Sequence, residues 1–119
     1  MSAHRIHHDL YRGTKVLTDP GDAGAIVVAQ DLQICELASV ESAETRTLAT
    51  PTKPGIRFHL RFTTDNGDVV VTAAGTLNTT GNTTATFDDV GEALDLISVT
   101  DAGTVRWDIV TNTDSVDLA

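Results

Sequence analysis

The sequence predicts a small all-β domain: an antiparallel β-sandwich or a jelly-roll-like fold of about eight to nine short strands, with an N-terminal arm. Apolar and polar residues alternate along many short stretches, and clusters of Gly, Pro, Asn and Asp separate these stretches roughly every 8–12 residues. Threonine and valine, whose branched Cβ favours strands, are frequent. A chain of 119 residues is one domain. We predict that residues 1–13 are the arm and residues 14–119 the single β domain.

The predicted fold is organised around residues 54–73. Apolar side chains occupy every second position from 56 to 62, and the positions between them hold Arg57, His59 and Arg61. Successive side chains of a strand point to opposite faces, so this pattern predicts a half-buried strand with a basic outer face. Residues 65–68 (Asp-Asn-Gly-Asp) favour a tight turn, and the valine-rich residues 69–72 predict a returning strand. Together they predict a hairpin.

The arm is the one locally basic part of an acidic chain. It contains three histidines, two arginines and a tyrosine: His4, His7, His8, Arg5, Arg12 and Tyr11. Three interpretations stay open for it, namely disorder, contact with a neighbouring subunit, and metal binding by the histidines. No carboxylate or cysteine completes a metal site in the sequence, so we predict no metal ligands.

The chain continues from the arm with short strands and turns. A first short strand is predicted around residues 15–17, before a turn at residues 19–22 (Asp-Pro-Gly-Asp). Alternation predicts strands over residues 26–29, 31–38 and 45–48. The proline-bearing segment that follows, up to the central stretch, predicts a loop between strands, because proline cannot donate to a β-ladder.

The C-terminal third predicts a polar loop over residues 75–84 and a strand over residues 85–87. Residues 93–99 and 103–111 alternate again and predict a hairpin across an Asp-Ala-Gly turn. Residues 112–119 predict a polar tail.

Charge and cysteine content limit the classes of function. The net charge of −9 disfavours a nucleic acid or an anionic membrane as partner, because both require cations to neutralise phosphates. The single cysteine, Cys35, cannot form an internal disulfide, and its apolar setting predicts a small buried hydrophobe rather than a catalytic thiol. The sequence contains no apparent signal peptide, membrane-spanning apolar run or lipidation motif. We therefore expect a protein that is made in the cytoplasm and works in a soluble phase.

No motif in the sequence predicts catalysis or a cofactor. We find no phosphate-binding glycine loop, nucleophile elbow or zinc motif. Acidic pairs at positions 19 and 22, 65 and 68, and 88 and 89 lie in predicted turns, and none fits the calcium-loop pattern. The predicted basic face of Arg57, His59 and Arg61 is either solvated or a contact surface. We therefore predict no enzyme activity.

A series of motifs over residues 44–111 carries a family resemblance. The motifs are residues 44–48, 51–55, 65–72, 75–78, 86–92, 94–99 and 106–110. Their order resembles the head decoration (cement) proteins of tailed bacteriophages and related β-rich virion modules. Similar arrangements also occur in β-rich modules of phage tail fibres.

The resemblance implies a structural virion protein that binds the outer surface of a bacteriophage capsid. It implies a homotrimer that bridges neighbouring major capsid proteins and stabilises the shell without catalytic residues. The expected contact residues are first those of the arm and then those of the basic face: His4, Arg5, His7, His8, Tyr11 and Arg12, followed by Arg57, His59 and Arg61. The alternatives are a tail- or fibre-associated module, a carbohydrate-binding module, which would require exposed aromatic side chains, and an enzyme.

Overall fold

A computed structural model describes residues 15–119, whose regular elements are ten β-strands. The ten strands are β1 (Val16–Leu17), β2 (Gly24–Ile26), β3 (Gln33–Ala38), β4 (Glu44–Leu48), β5 (Arg57–Thr64), β6 (Val69–Ala73), β7 (Thr84–Phe87), β8 (Ala93–Asp101), β9 (Thr104–Thr113) and β10 (Asp117–Leu118). Sheet A has the order β1-β3-β5-β8-β9, and sheet B has the order β10-β7-β6-β4-β2. The predicted all-β sandwich is therefore confirmed.

The core lies between the two sheets and follows the predicted alternation. On β5, Phe58, Leu60 and Phe62 are buried, and the side chains between them point outward. Phe62 of sheet A packs against Phe87 of sheet B with a ring-centroid distance of 6.3 Å. Each large apolar side chain buried in this way contributes about 1.5–3 kcal/mol to the free energy of unfolding. The apolar inner faces are therefore what hold the two sheets together.

The strand pairing is mixed, whereas the sequence predicts an antiparallel sandwich. From β1 to β6 the chain passes alternately from sheet A to sheet B, so that same-sheet neighbours run in the same direction. The β1–β3, β3–β5, β2–β4 and β4–β6 ladders are parallel, and the other four ladders are antiparallel. The alternation of side chains defines the inner face of a strand but leaves open which strand it pairs with.

The predicted hairpin of residues 54–73 is wrong, because β5 and β6 lie in different sheets. The Asp-Asn-Gly-Asp segment crosses from one sheet to the other and is held against the end of β3. Asn66 donates its backbone N–H to Ser39 Oγ at 2.7 Å and its side-chain amide to the Ser39 carbonyl at 3.0 Å. Gly67 has a φ of +148°, and a Cβ there would lie 2.3 Å from the backbone of Ser42 and Ala43. A glycine is therefore required at this crossing by close backbone contact.

The predicted hairpin of the last two long strands is confirmed. Strands β8 and β9 pair antiparallel from Asp101 and Thr104 at the turn end. Ala102 and Gly103 between them have φ angles of +51° and +83°, the positive values that a two-residue hairpin turn of this hand requires.

The C-terminal segment is part of the sandwich, which corrects the predicted polar tail. Strand β10 pairs with β7, and Val116 is buried in the core. Asn112 holds the preceding bend, since its side chain accepts from the Val116 N–H at 2.8 Å and donates to the Val116 carbonyl at 2.9 Å. A largely polar segment can thus close one edge of sheet B, with Val116 buried and Leu118 packed against the core.

Candidate functional site: a groove on the outer face of sheet A

The basic side chains of β5 lie on the outer face of sheet A, as the alternation predicts. Strand β5 is the central strand of this sheet, between β3 and β8. The side chains of Arg57 and Arg61 are about half exposed, and that of His59 is about one quarter exposed. The fold therefore brings together the three predicted contact residues of the domain along one line.

A row of side chains crosses the sheet at His59. Ile34 of β3 lies beside it in the parallel register, and Asp95 of β8 lies on the other side. His59 Nδ1 is 2.7 Å from Asp95 Oδ1. The pair spans 36 residues of sequence, so alternation within one strand could not reveal it.

The two arginines also face carboxylates. Arg57 Nη2 donates to Asp31 Oδ2 at 2.8 Å, and the Arg57 backbone N–H donates to Asp31 Oδ1 at 2.7 Å. The Arg57 side-chain hydrogen bond lowers the pKa of Asp31, despite the opposing effect of burial. Arg61 Nε is 3.9 Å from Glu36 Oε2, so this ion pair is long and exposed. The face predicted to be basic is therefore of mixed charge.

These charged residues border an open groove of about 750 Å³. Its apolar side chains are those of Val16, Ile34 and Val110, and its polar lining consists of Glu36, Arg57, His59, Arg61, Asp95 and Thr111. Phe58 and Leu96 also border it, but their side chains are buried in the core. Val16 is 53% exposed and Val110 is 65% exposed. An open groove that combines apolar side chains with a charged rim is a candidate contact surface for another protein segment.

A bulge in the hairpin places Val110 in the groove. In the β8–β9 register, Asp95 faces Thr111 and Leu96 faces Ile109, which leaves Val110 as the extra residue. Regular alternation would have placed Val110 and Thr111 on opposite faces, yet both line the groove. The sequence carries no obvious signal for this bulge, and Val110 was accordingly not among the predicted contact residues.

The six predicted contact residues of the arm, which are His4, Arg5, His7, His8, Tyr11 and Arg12, lie outside the described residues. The interpretation of the three histidines as metal ligands concerns the same segment. Both statements stay predictions from the sequence.

A buried ionic cluster lies at one end of the sandwich, away from the groove lining. Arg46 points inward from β4 with no exposed side-chain surface, and it donates from Nε and Nη2 to the two Asp19 oxygens at 2.7 and 2.9 Å. Glu44 Oε1 lies 2.9 Å from Arg46 Nη2 as a charge contact without hydrogen-bond alignment. Arg46 also donates to the Ala38 carbonyl at 3.1 Å. The cluster connects the β1–β2 turn to β3 and β4, and its role is structural.

The sequence indicates only that Asp19 lies in a turn, and the structure adds its ion pair with the buried Arg46. Burial alone would raise the pKa of Asp19. Hydrogen bonds from Arg46 and from the N–H groups of Ala38 and Gly21 outweigh burial, so the pKa of Asp19 lies below its usual value. The sequence could have indicated this ion pair, because Arg46 lies two residues before the apolar Leu48 and therefore on the same, inward face of β4.

A second acidic group lies in the turn before β8. Among residues 15–119, Asp88, Asp89 and Glu92 form the one group of three possible metal ligands, with ligand atoms within 4.8 Å of one another. Glu92 Oε1 accepts from the Asp88 N–H at 2.8 Å, and burial raises the pKa of Glu92. This hydrogen bond closes the turn and gives the Glu92 carboxylate a structural role.

Cys35 is fully buried on β3. Burial raises the pKa of its thiol to about 12. Its predicted role as a small core hydrophobe is consistent with this setting, because reactivity requires an accessible thiolate.

No protein-family model matches the chain, and no curated protein matches it. No helix in residues 15–119 is long and apolar enough to cross a membrane.

Proposed function

We propose that this protein is a structural virion protein that decorates and stabilises a bacteriophage capsid. It binds the outer surface of the shell as a trimer and bridges neighbouring major capsid proteins. The order of sequence motifs over residues 44–111 leads to this proposal. The observation that supports it best is the groove of sheet A, with exposed valines beside half-exposed ion pairs.

The groove is suited to binding a polypeptide. Its exposed ion pairs each contribute only about 0–1 kcal/mol to the stability of the fold. Charged groups of an incoming segment can therefore replace one partner of a pair with little loss of free energy. Covering Val16 and Val110 would add the apolar contribution, at about 25 cal/mol per Å² of buried surface. A protein partner gains affinity from both effects.

The stabilising mechanism requires no catalytic group. A protein that binds the assembled shell but not its free subunits favours the shell by mass action, by about 2.7 kcal/mol at a concentration one hundred times Kd. A trimer with three contacts gains further from avidity, which multiplies modest affinities by roughly 10²–10⁴. Weak individual interfaces are therefore sufficient.

The first test measures the solution mass by light scattering, with and without shells of the parent phage. We expect a species of about 38 kDa, three times the chain mass of 12.6 kDa, that co-sediments with the shells. Shells saturated with the protein should withstand higher temperature than bare shells. A monomer that stays in the supernatant would refute the proposal.

Point variants test whether the groove makes the contact. Arg61→Ala should weaken sedimentation with shells, because Arg61 borders the groove. Thr47→Ala is the matched control, since Thr47 is exposed on β4 of the other sheet. Equal binding of the two variants would exclude Arg61 from the contact surface.

Deletion of residues 1–13 tests the arm. We expect the truncated chain to keep the circular dichroism and melting transition of the full chain but to bind shells more weakly. Loss of the folded signal would show that our interpretation of these residues as an arm is wrong.

Two alternatives predict different partners. A tail- or fibre-associated module would bind purified tails instead of shells. A carbohydrate-binding module would present aromatic rings to solvent, whereas Phe58, Phe62, Phe87 and Trp107, the aromatic residues of the described chain, are all buried. A glycan array is the direct measurement for that alternative.

A further inference from the structure

We infer that the groove of sheet A binds residues 1–14 of a neighbouring copy, so that each subunit of the oligomer gives its N-terminal segment to the next. This inference rests on the proposed function for the trimer, and it names the occupant of the groove. The groove then holds the trimer together, and a groove variant such as Arg61→Ala weakens shell binding through the loss of avidity rather than through a lost contact with the shell. The inference links the two sets of contact residues predicted from the sequence, because the arm of one copy binds the face of the next copy that carries Arg57, His59 and Arg61.

The N-terminal segment joins the described chain at the rim of the groove. Lys15 is the first residue that the structure describes, and Val16, the next residue, is itself part of the groove lining. Strand β1 is one of the two edge strands of sheet A and pairs only with β3. The segment is therefore attached beside the surface that we assign to it.

The length of the segment is sufficient. Fourteen extended residues reach roughly 46–50 Å at about 3.3–3.6 Å each. A five-stranded sheet is only about 19 Å wide at roughly 4.8 Å between strands. The segment can therefore leave its own subunit and still cross the groove of the next.

The chemistry of the segment matches that of the groove. Ile6, Leu10 and Tyr11 are apolar side chains that can cover the exposed Val16 and Val110. The segment carries a net charge of +1, from Arg5, Arg12 and Asp9, whereas residues 15–119 carry −10. This opposite charge attracts the segment to the domain as a whole, whereas the groove lining itself balances Arg57 and Arg61 against Glu36 and Asp95.

The chain direction favours a neighbouring copy over the same chain. Strand β1 runs parallel to β3 and β5, with Val16 beside Ile34 and Ile34 beside His59. Strand β1 therefore begins at the side of the groove where Arg57 lies, so an N-terminal segment could cover the groove of its own chain only after a tight reversal. Transfer between copies needs no reversal. It is also a head-to-tail contact, which is the kind that closes into a ring of three.

Disulfide trapping between two differently tagged full-length chains tests the inference. One chain carries Leu10→Cys and the other carries Val110→Cys, so that a disulfide joining the two introduced thiols can form only between copies. Cys35 can stay in place, because it is fully buried. The matched control replaces Val110→Cys by Val90→Cys, since Val90 is 59% exposed but is not part of the groove lining. Both mixtures are oxidised gently without shells.

We expect the Leu10–Val110 disulfide to form at least about tenfold faster than the Leu10–Val90 disulfide, because docking raises the local concentration into the millimolar range. Similar rates for the two pairs would overturn the inference. A single chain that carries both Leu10→Cys and Val110→Cys tests whether the segment binds the groove of its own chain. A disulfide that forms only within this chain would also overturn the inference.

A second measurement does not depend on cysteine chemistry. Ile34→Asp should reduce the solution mass from trimer to monomer, whereas Val27→Asp, at an exposed position outside the groove lining, should leave the mass unchanged. A trimeric Ile34→Asp variant would contradict the inference. Shell binding is assayed separately: a trapped trimer that ignores shells refutes the proposed function alone, and shell binding without trapping refutes the inference alone.

Discussion

Replacing Arg46 is the most informative perturbation of the fold. Arg46→Met preserves much of the side-chain volume but removes the cation between Asp19 and Glu44. Two carboxylates are then left at positions where the Asp19 and Glu44 side chains are only 17% and 8% exposed. Breaking a buried ion pair from one side costs about 3–5 kcal/mol. Because a domain of this size has roughly 5–15 kcal/mol of stability, the variant should lose a large share of it.

The assay is urea denaturation followed by the fluorescence of Trp107, the single tryptophan, which is buried in the core. Arg57→Met is the matched control, because Arg57 forms an ion pair with Asp31 whose side chains are about half exposed. We expect the control to lose less than about 1 kcal/mol. If Arg46→Met also loses less than about 1 kcal/mol, with an unchanged dependence on urea, the buried cluster does not stabilise the fold as argued.

The same comparison has a defined pH dependence. The pKa of Asp19 is lower in the folded chain than in the unfolded chain, so folding favours its ionised form. This contribution is complete above the usual aspartate pKa near 3.8 and is lost as the pH falls through the folded value. The stability difference between the natural chain and Arg46→Met should therefore narrow in acid. A difference that stays constant from neutral pH to about pH 2 would contradict the assignment of the Arg46–Asp19 pair.

Three further predictions concern other parts of the sandwich. Trp107→Ala should lower the free energy of unfolding by about 3–5 kcal/mol, because it leaves a cavity beside Phe58 and removes the hydrogen bond from the indole N–H to the Ala49 carbonyl. Thermal unfolding measures the effect, and a decrease in Tm of only a few degrees would contradict this prediction. Gly67→Ala should cost at least about 1–3 kcal/mol in urea denaturation, whereas Gly75→Ala, where a Cβ meets open space, should be nearly neutral. Native Cys35 should resist thiol reagents until the chain unfolds, and rapid native labelling would contradict its burial.

The candidate site was only partly predictable, because its parts come from distant segments. Alternation on β5 was sufficient to place Arg57, His59 and Arg61 on one outer face. The carboxylates that face them come from β3, β8 and the loop before β3, so the mixed charge of the face depends on strand order. Val110 reaches the groove through a bulge, which shifts the alternation by one residue.

The sequence by itself determined the inner face of most strands, since a period of two residues divides each strand into an apolar and a polar side. It also determined the β8–β9 hairpin, where a turn that accepts positive φ joins two alternating stretches. The tertiary structure alone decided that β5 and β6 belong to opposite sheets and that β3 pairs in parallel with β5. The physical reason is that the alternating pattern of a strand requires only that its apolar side face the core. Several neighbouring strands can pair with it and meet this requirement equally well. The choice depends on closing one core around all the strands together, including a buried cation that needs its carboxylates from elsewhere in the chain.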